Sequence, residues 1–197
     1  MQPLRDCLNS NPCSLALEGL KDPFAERSSG LDSNDSRMQQ VTWVNGKLWG
    51  ALDTGLNVSS SKQAGIEWFT ASPSTSTGSV TASPADQGYL ALGNDSLTYP
   101  AIGVTSGGTG VMAFTISGSD FYPSSGYATV SNAGVGDVHI AAPGVGPEDG
   151  FSNYGLFGPV TPGVPRPRWG DYSAAYQRGL GAVGLGGPGA SAAGPSC

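Results

Sequence analysis

The side chains able to do chemistry are few and scattered. His139 is the only histidine in the chain. A Ser-His-Asp triad would have to use it. It lies in an alternating stretch, Gly-Asp-Val-His-Ile-Ala-Ala at 136–142, and no G-x-S-x-G nucleophile elbow accompanies it. A hydrogen-bonded strand histidine is the better reading. One histidine also excludes a His-rich metal site. Glycoside hydrolysis needs two carboxylates at a defined separation. Asp53, Glu67, Asp137 and Asp171 are available for it, but sequence alone does not pair them. Asp32, Asn34 and Asp35 could offer oxygen ligands to Ca²⁺, although the twelve-residue EF-hand loop is absent. Asx-turns explain the same cluster without a metal. Glu148 and Asp149 form a second turn-like acidic pair. No G-x-x-x-x-G-K-[ST] phosphate loop exists, and the Gly-rich end lacks its lysine.

Cysteine usage points outward. Cys7 and Cys13 enclose Leu-Asn-Ser-Asn-Pro, a short loop of turn formers. A local disulfide there implies an oxidising compartment, and a pair of free thiols is the alternative. Neither a histidine nor a second cysteine pair is near enough to suggest zinc. Cys197 has no evident partner. The start, Met-Gln-Pro-Leu-Arg-Asp-Cys, has no apolar core of a signal peptide. An extracellular or cell-surface location then implies that residue 1 is not the natural start.

Charge narrows the partners. Nine Lys and Arg against fifteen Asp and Glu give a net charge of −6. The basic residues form no run, so phosphate neutralisation along a nucleic acid is disfavoured. No apolar run reaches the roughly 18 residues of a membrane-spanning helix. A carbohydrate or a cell-surface polymer fits better as a partner, because Trp43, Trp49, Trp68, Tyr99, Phe114 and Trp169 could offer flat faces. Packing between sheets is the commoner use of such aromatics.

The elements that must position these residues are strands. Gly and Pro contribute 31 and 15 of 197 residues, and only 12% are charged. Such a composition suits short strands joined by many turns. Met38–Val44 and Lys47–Asp53 flank Asn45-Gly46, the strongest short hairpin signal. Runs at 64–71 and 88–93 complete a set of four. A second set follows at 97–105, 110–117, 125–131 and 136–142. A third begins at Arg168 with Arg-Trp-Gly-Asp-Tyr-Ser. The sets start at Arg37, Tyr99 and Arg168, about sixty to seventy residues apart.

A repeated four-stranded antiparallel unit cannot bury both faces alone, so neighbours must stack. The expectation is an all-β partial β-propeller, with a β-sandwich as the alternative. Small residues at Ala101, Gly103, Gly170 and Ala174 suit the crowded centre of a propeller. The organisation expected is an irregular segment at 1–36, blades near 37–93 and 97–142, and a third blade broken off near Tyr176. A short helical turn is possible at 14–20. Residues 177–197, almost wholly Gly, Ala, Ser and Pro, should form a flexible tail without a strand of useful length. Loss of patterning in mid-strand suggests a truncated or frame-shifted end.

The stretches 32–54, 64–69, 99–124 and 167–175 together resemble uncharacterised bacterial secreted proteins with sialidase-like β-propeller repeats. Arg-Trp-Gly-Asp-Tyr-Ser at 168–173 is the most recognisable phrase. The resemblance implies fold more than activity. It implies a longer propeller, of which this chain is a fragment, and an extracellular binding or scaffolding module. The alternative it implies is a sialidase-like glycoside hydrolase. In that case Arg37 and Arg168 would hold a substrate carboxylate through bidentate contacts, with Asp171 and Tyr172 beside them. The Ser-x-Asp-x-Gly-x-x-Trp boxes of true sialidases are absent. Pairing of Arg37 and Arg168 with nearby aspartates is the structural alternative.

Overall fold

The computed structural model describes residues 31, 33, 35–76, 78–145, 169–170, 172–178 and 182–186. Cys7, Cys13, Asp32, Asn34, Arg168, Asp171, the acidic pair 148–149 and the turn expected at 14–20 lie outside them. Every regular element among the described residues is a strand. They are β1 (Val41–Val44), β2 (Lys47–Val58), β3 (Ser61–Ser74), β4 (Thr81–Leu90), β5 (Asp95–Val104), β6 (Thr109–Gly118), β7 (Ser124–Ser131), β8 (Gly134–Ala142), β9 (Ala174–Arg178) and β10 (Ala182–Gly186).

They form two four-stranded antiparallel meanders and one hairpin. Sheet I runs β1-β2-β3-β4, sheet II runs β5-β6-β7-β8, and β9 pairs with β10. The first hairpin closes on Asn45 and Gly46, both at positive φ (50° and 77°). That is the type I′ geometry an Asn-Gly pair supplies cheaply. The β2–β3 hairpin instead turns on Ser59 and Ser60, also at positive φ. Serine carries no such signature. Composition therefore predicts an end to the second strand at Asp53, while β2 runs on to Val58.

Alternation builds the core. In sheet I, Trp49, Ala51 and Asp53 of β2 lie beside Thr70, Trp68 and Ile66 of β3 on one face. In sheet II, Leu97, Ile102 and Val104 of β5 share a face with Met112, Phe114 and Ile116 of β6. Ala128 and Val130 of β7 extend that face. Trp49, Ile66, Trp68 and the sheet II residues form one buried cluster. The two sheets therefore meet face to face. All ten residues of β5 are buried, while β4 is mostly exposed.

The other face of β5 is covered by β9. A Cβ built on Gly103 would stand 2.9 Å from the carbonyl carbon of Ala175, so only glycine lets the two backbones approach this closely. The absence of any strand beyond Tyr176, expected from composition, needs correction. β9 continues to Arg178, and β10 pairs with it from Ala182↔Arg178 to Gly186↔Ala174. Backbone pairing does not require the large side chains that make a strand visible in sequence. No helix among the described residues is long and apolar enough to cross a membrane.

Candidate functional site

Two places gather polar chemistry. The first lies just before β1. Asp35 accepts hydrogen bonds from the backbone N–H of Arg37 at 3.0 Å and from its Nε at 2.8 Å. This is an Asx-type turn closed by an ion pair. The Arg37 side chain is 78% exposed. Its bond to Asp35, then the charge of Asp35, raise the guanidinium pKa further above its ordinary value, and Tyr172 acts on it in the same sense. Arg37 and Tyr172 therefore share a neighbourhood. Arg168 and Asp171, expected to join them, lie outside the described residues.

The charge of Asp35 also bears on Asp53. Asp53 is only 3% exposed. Its Oδ1 accepts the backbone N–H of Tyr99 at 2.8 Å. Burial pushes the Asp53 carboxyl well above its ordinary value. The Tyr99 N–H partly opposes that shift, and the charge of Asp35 adds to it. The reason lies in β5. Its pairing with β6 slips between Thr98 and Ala101, and Tyr99 sits there at φ 57°. A bulky residue in this region is strained by about 1–3 kcal/mol. The bulge turns the Tyr99 N–H out of the β5–β6 ladder and toward sheet I, where Asp53 satisfies it.

This geometry separates the carboxylates offered for glycosidase chemistry. Leu52 pairs with Glu67 and Asp53 with Ile66, so Glu67 and Asp53 occupy opposite faces of sheet I. Asp137 is exposed on β8, in the other sheet. His139 stacks on Tyr127 across β7 and β8, with ring centroids 5.2 Å apart. Asp95 and Asp120 hold one turn together: Asp95 Oδ1 accepts the backbone N–H of Asp120 at 3.1 Å, and Asp120 Oδ2 accepts from Asn94 Nδ2 at 3.0 Å. Burial raises the Asp95 carboxyl pKa against the pull of the Asp120 and Phe121 N–H groups. No group of three or more His, Cys, Asp or Glu side chains gathers among the described residues.

The second place was not legible in sequence. A cleft of about 260 Å³ opens between the two sheets. Trp49, Trp68, Thr70, Asp86, Gln87 and Asn132 line it. β3 and β4 supply one wall. The tight turn between β7 and β8 supplies the other. Asp86 is held at the rim, its N–H donating to Thr70 Oγ1 at 3.1 Å, beside a register shift between Thr70 and Ala71. Indole edges, hydroxyls, amides and one carboxylate offer both donors and acceptors to a small polyhydroxylated group.

The aromatics divide accordingly. Trp49, Trp68, Tyr99 and Phe114 are buried between the sheets, while Trp43 is 56% exposed. An exposed arginine paired with its near neighbour adds little to stability. Arg37→Ala is expected to leave the melting temperature unchanged within error, by calorimetry at two salt concentrations. No family model, curated protein or solved structure matches this chain.

Proposed function

We propose that the chain is part of an extracellular β-propeller that works as a binding module, with sheets I and II as neighbouring blades and the outer cleft as a seat for carbohydrate. The observation carrying the blade reading is one side chain. Gln40, just before β1, donates to Ile102 O of β5 at 3.3 Å and to Ala175 O of β9, and accepts the Ala175 N–H at 3.1 Å. Thr42 adds a bond to the same Ile102 carbonyl. The first strands of both sheets and of the hairpin thus meet within the reach of one amide. Radial blades behave in this way, whereas the two sheets of a sandwich do not bring a third layer to the same edge.

The cleft supports the ligand class. It has paired indoles, a mixed rim and no cluster of basic side chains. Binding of the whole chain to a panel of neutral and acidic oligosaccharides is expected. Asp86→Ala and Asn132→Ala should each weaken the binding about tenfold, a loss of one or two hydrogen bonds. A folded chain that binds no saccharide in calorimetry would remove the ligand class.

The sialidase-like reading draws on Arg37 and Tyr172 sharing a neighbourhood. Turnover of a fluorogenic sialoside, abolished by Arg37→Ala, would replace binding with hydrolysis. Asp53 is a poor candidate acid for that reaction, because its buried carboxyl faces a backbone N–H and not an open site.

A further inference from the structure

The outward face of sheet I carries a run of apolar side chains on β1 and β2, bordered by Glu67 and Gln87. Register puts Val41 beside Gly50, Trp43 beside Leu48, and Gly50 beside Phe69. Leu52 pairs with Glu67, and Glu67 with Tyr89, on the same face. Trp43 is 56% exposed, Tyr89 49%, Val41 47% and the adjoining Met38 41%. Scattered exposed apolar residues are ordinary, but a contiguous set on one sheet face marks an interface.

The internal repeat says what kind of surface covers it. Both sheets are meanders of the same order, and β1 stacks on β5 with their following turns at one end. Asn45 Nδ2 donates to Ser106 O there at 2.7 Å. The sheets are thus stacked in the same sense, so the two faces in contact are unlike faces of the unit. The face of sheet II that carries Met112, Phe114 and Ile116 is the counterpart of the outward face of sheet I. The first is covered by sheet I; the second has Met38 over Gly50 and leaves Trp43 and Val41 exposed. At the other end of the stack, β9 turns Ala175 inward, while Ala174, Tyr176 and Tyr172 are exposed. That end belongs to the opposite sense.

We propose that a second copy of this chain docks its β9 end onto the outward face of sheet I, head to tail. The contact repeats, between copies, the stacking already present within one. It is heterologous, so it closes into a ring or grows, according to the rotation between copies. Only the observed stacking is needed for it, and it holds whether or not the cleft binds carbohydrate.

Light scattering on the full-length chain over a range of micromolar concentrations tests it. The expected mass is two copies or more, rising with concentration. Trp43→Glu and Tyr176→Glu should each weaken association at least tenfold. Both positions are exposed, so the circular dichroism and melting temperature of each variant should match the parent chain. Mixed one to one, the two variants retain one intact face each. They should form a single junction, seen as a heterodimer. A monomer at every concentration overturns the proposal. So does Tyr176→Glu without effect, which would mean that sheet I meets itself. A monomer with Trp43 fluorescence shielded from quencher also overturns it, and would mean that another part of the same chain covers the face.

Discussion

Asp53→Ala is expected to destabilise the chain by about 1–3 kcal/mol, the cost of leaving a buried donor without its acceptor. The donor is the Tyr99 N–H, 2.8 Å from Asp53 Oδ1. Tyr99 is 1% exposed, so water cannot replace the carboxyl. Asp53→Asn keeps an oxygen in the same position and removes the ionisation. The two substitutions should therefore differ in sign at neutral and alkaline pH, with Asn above the parent chain and Ala below it.

The pH dependence follows from burial. The folded pKa of Asp53 lies well above 3.8, chiefly through desolvation. Over the interval between the unfolded and folded values, the folded chain holds a proton that the unfolded chain has lost. Stability from this group is complete below about 3.8 and falls as pH rises through the folded pKa. A carboxylate held by a salt bridge would behave in the opposite way. Denaturant unfolding from pH 3 to pH 9 checks the slope. Asp53→Asn should remove the decline at the upper end. A decline that persists in Asp53→Asn would place its source elsewhere, with Asp95, also raised by burial, the next group to test.

This pair also shows where sequence reasoning stops. The Asn45-Gly46 hairpin was legible because its chemistry is local: two residues tolerate positive φ, and alternation flanks them. The four-strand repeat was legible for the same reason, carried by runs such as Gly-Val-Met-Ala-Phe-Thr-Ile-Ser at 110–117. Tyr99 at φ 57° was not. Nothing in tyrosine favours that conformation, which exists because sheet I supplies an acceptor from a residue far away in sequence. Asp53 was legible as a carboxylate available for catalysis, but its partner was not. The cleft was hidden on the same ground. Trp68 and Asn132 belong to different sheets, and only stacking brings them to one opening. The Ser59-Ser60 turn and β10 were missed because neither carries the residue types that usually announce a turn or a strand.

The contact between the sheets sets the other large effect. Phe114 is 2% exposed and lies at the centre of the cluster shared by the two sheets. Phe114→Ala is expected to cost about 3–5 kcal/mol, since the stacked sheets cannot collapse onto the space it leaves. Its neighbour Gly126 makes the packing testable by addition as well as by removal. Gly126 pairs with Phe114. A Cβ there would stand 2.4 Å from Ile116 Cδ1 and 2.8 Å from Phe114 Cε2. Gly126→Ala should therefore destabilise by about 1–3 kcal/mol through crowding. Ile116→Val deletes the nearest atom, Cδ1, at about 0.5–1.5 kcal/mol on its own. In the double variant the two losses should partly cancel, giving a coupling of about 0.5–1 kcal/mol. Strictly additive losses would mean that the Gly126 backbone shifts to relieve the clash. In that case the closeness of the β6–β7 pair, and not the side chains between the sheets, would limit what this position accepts.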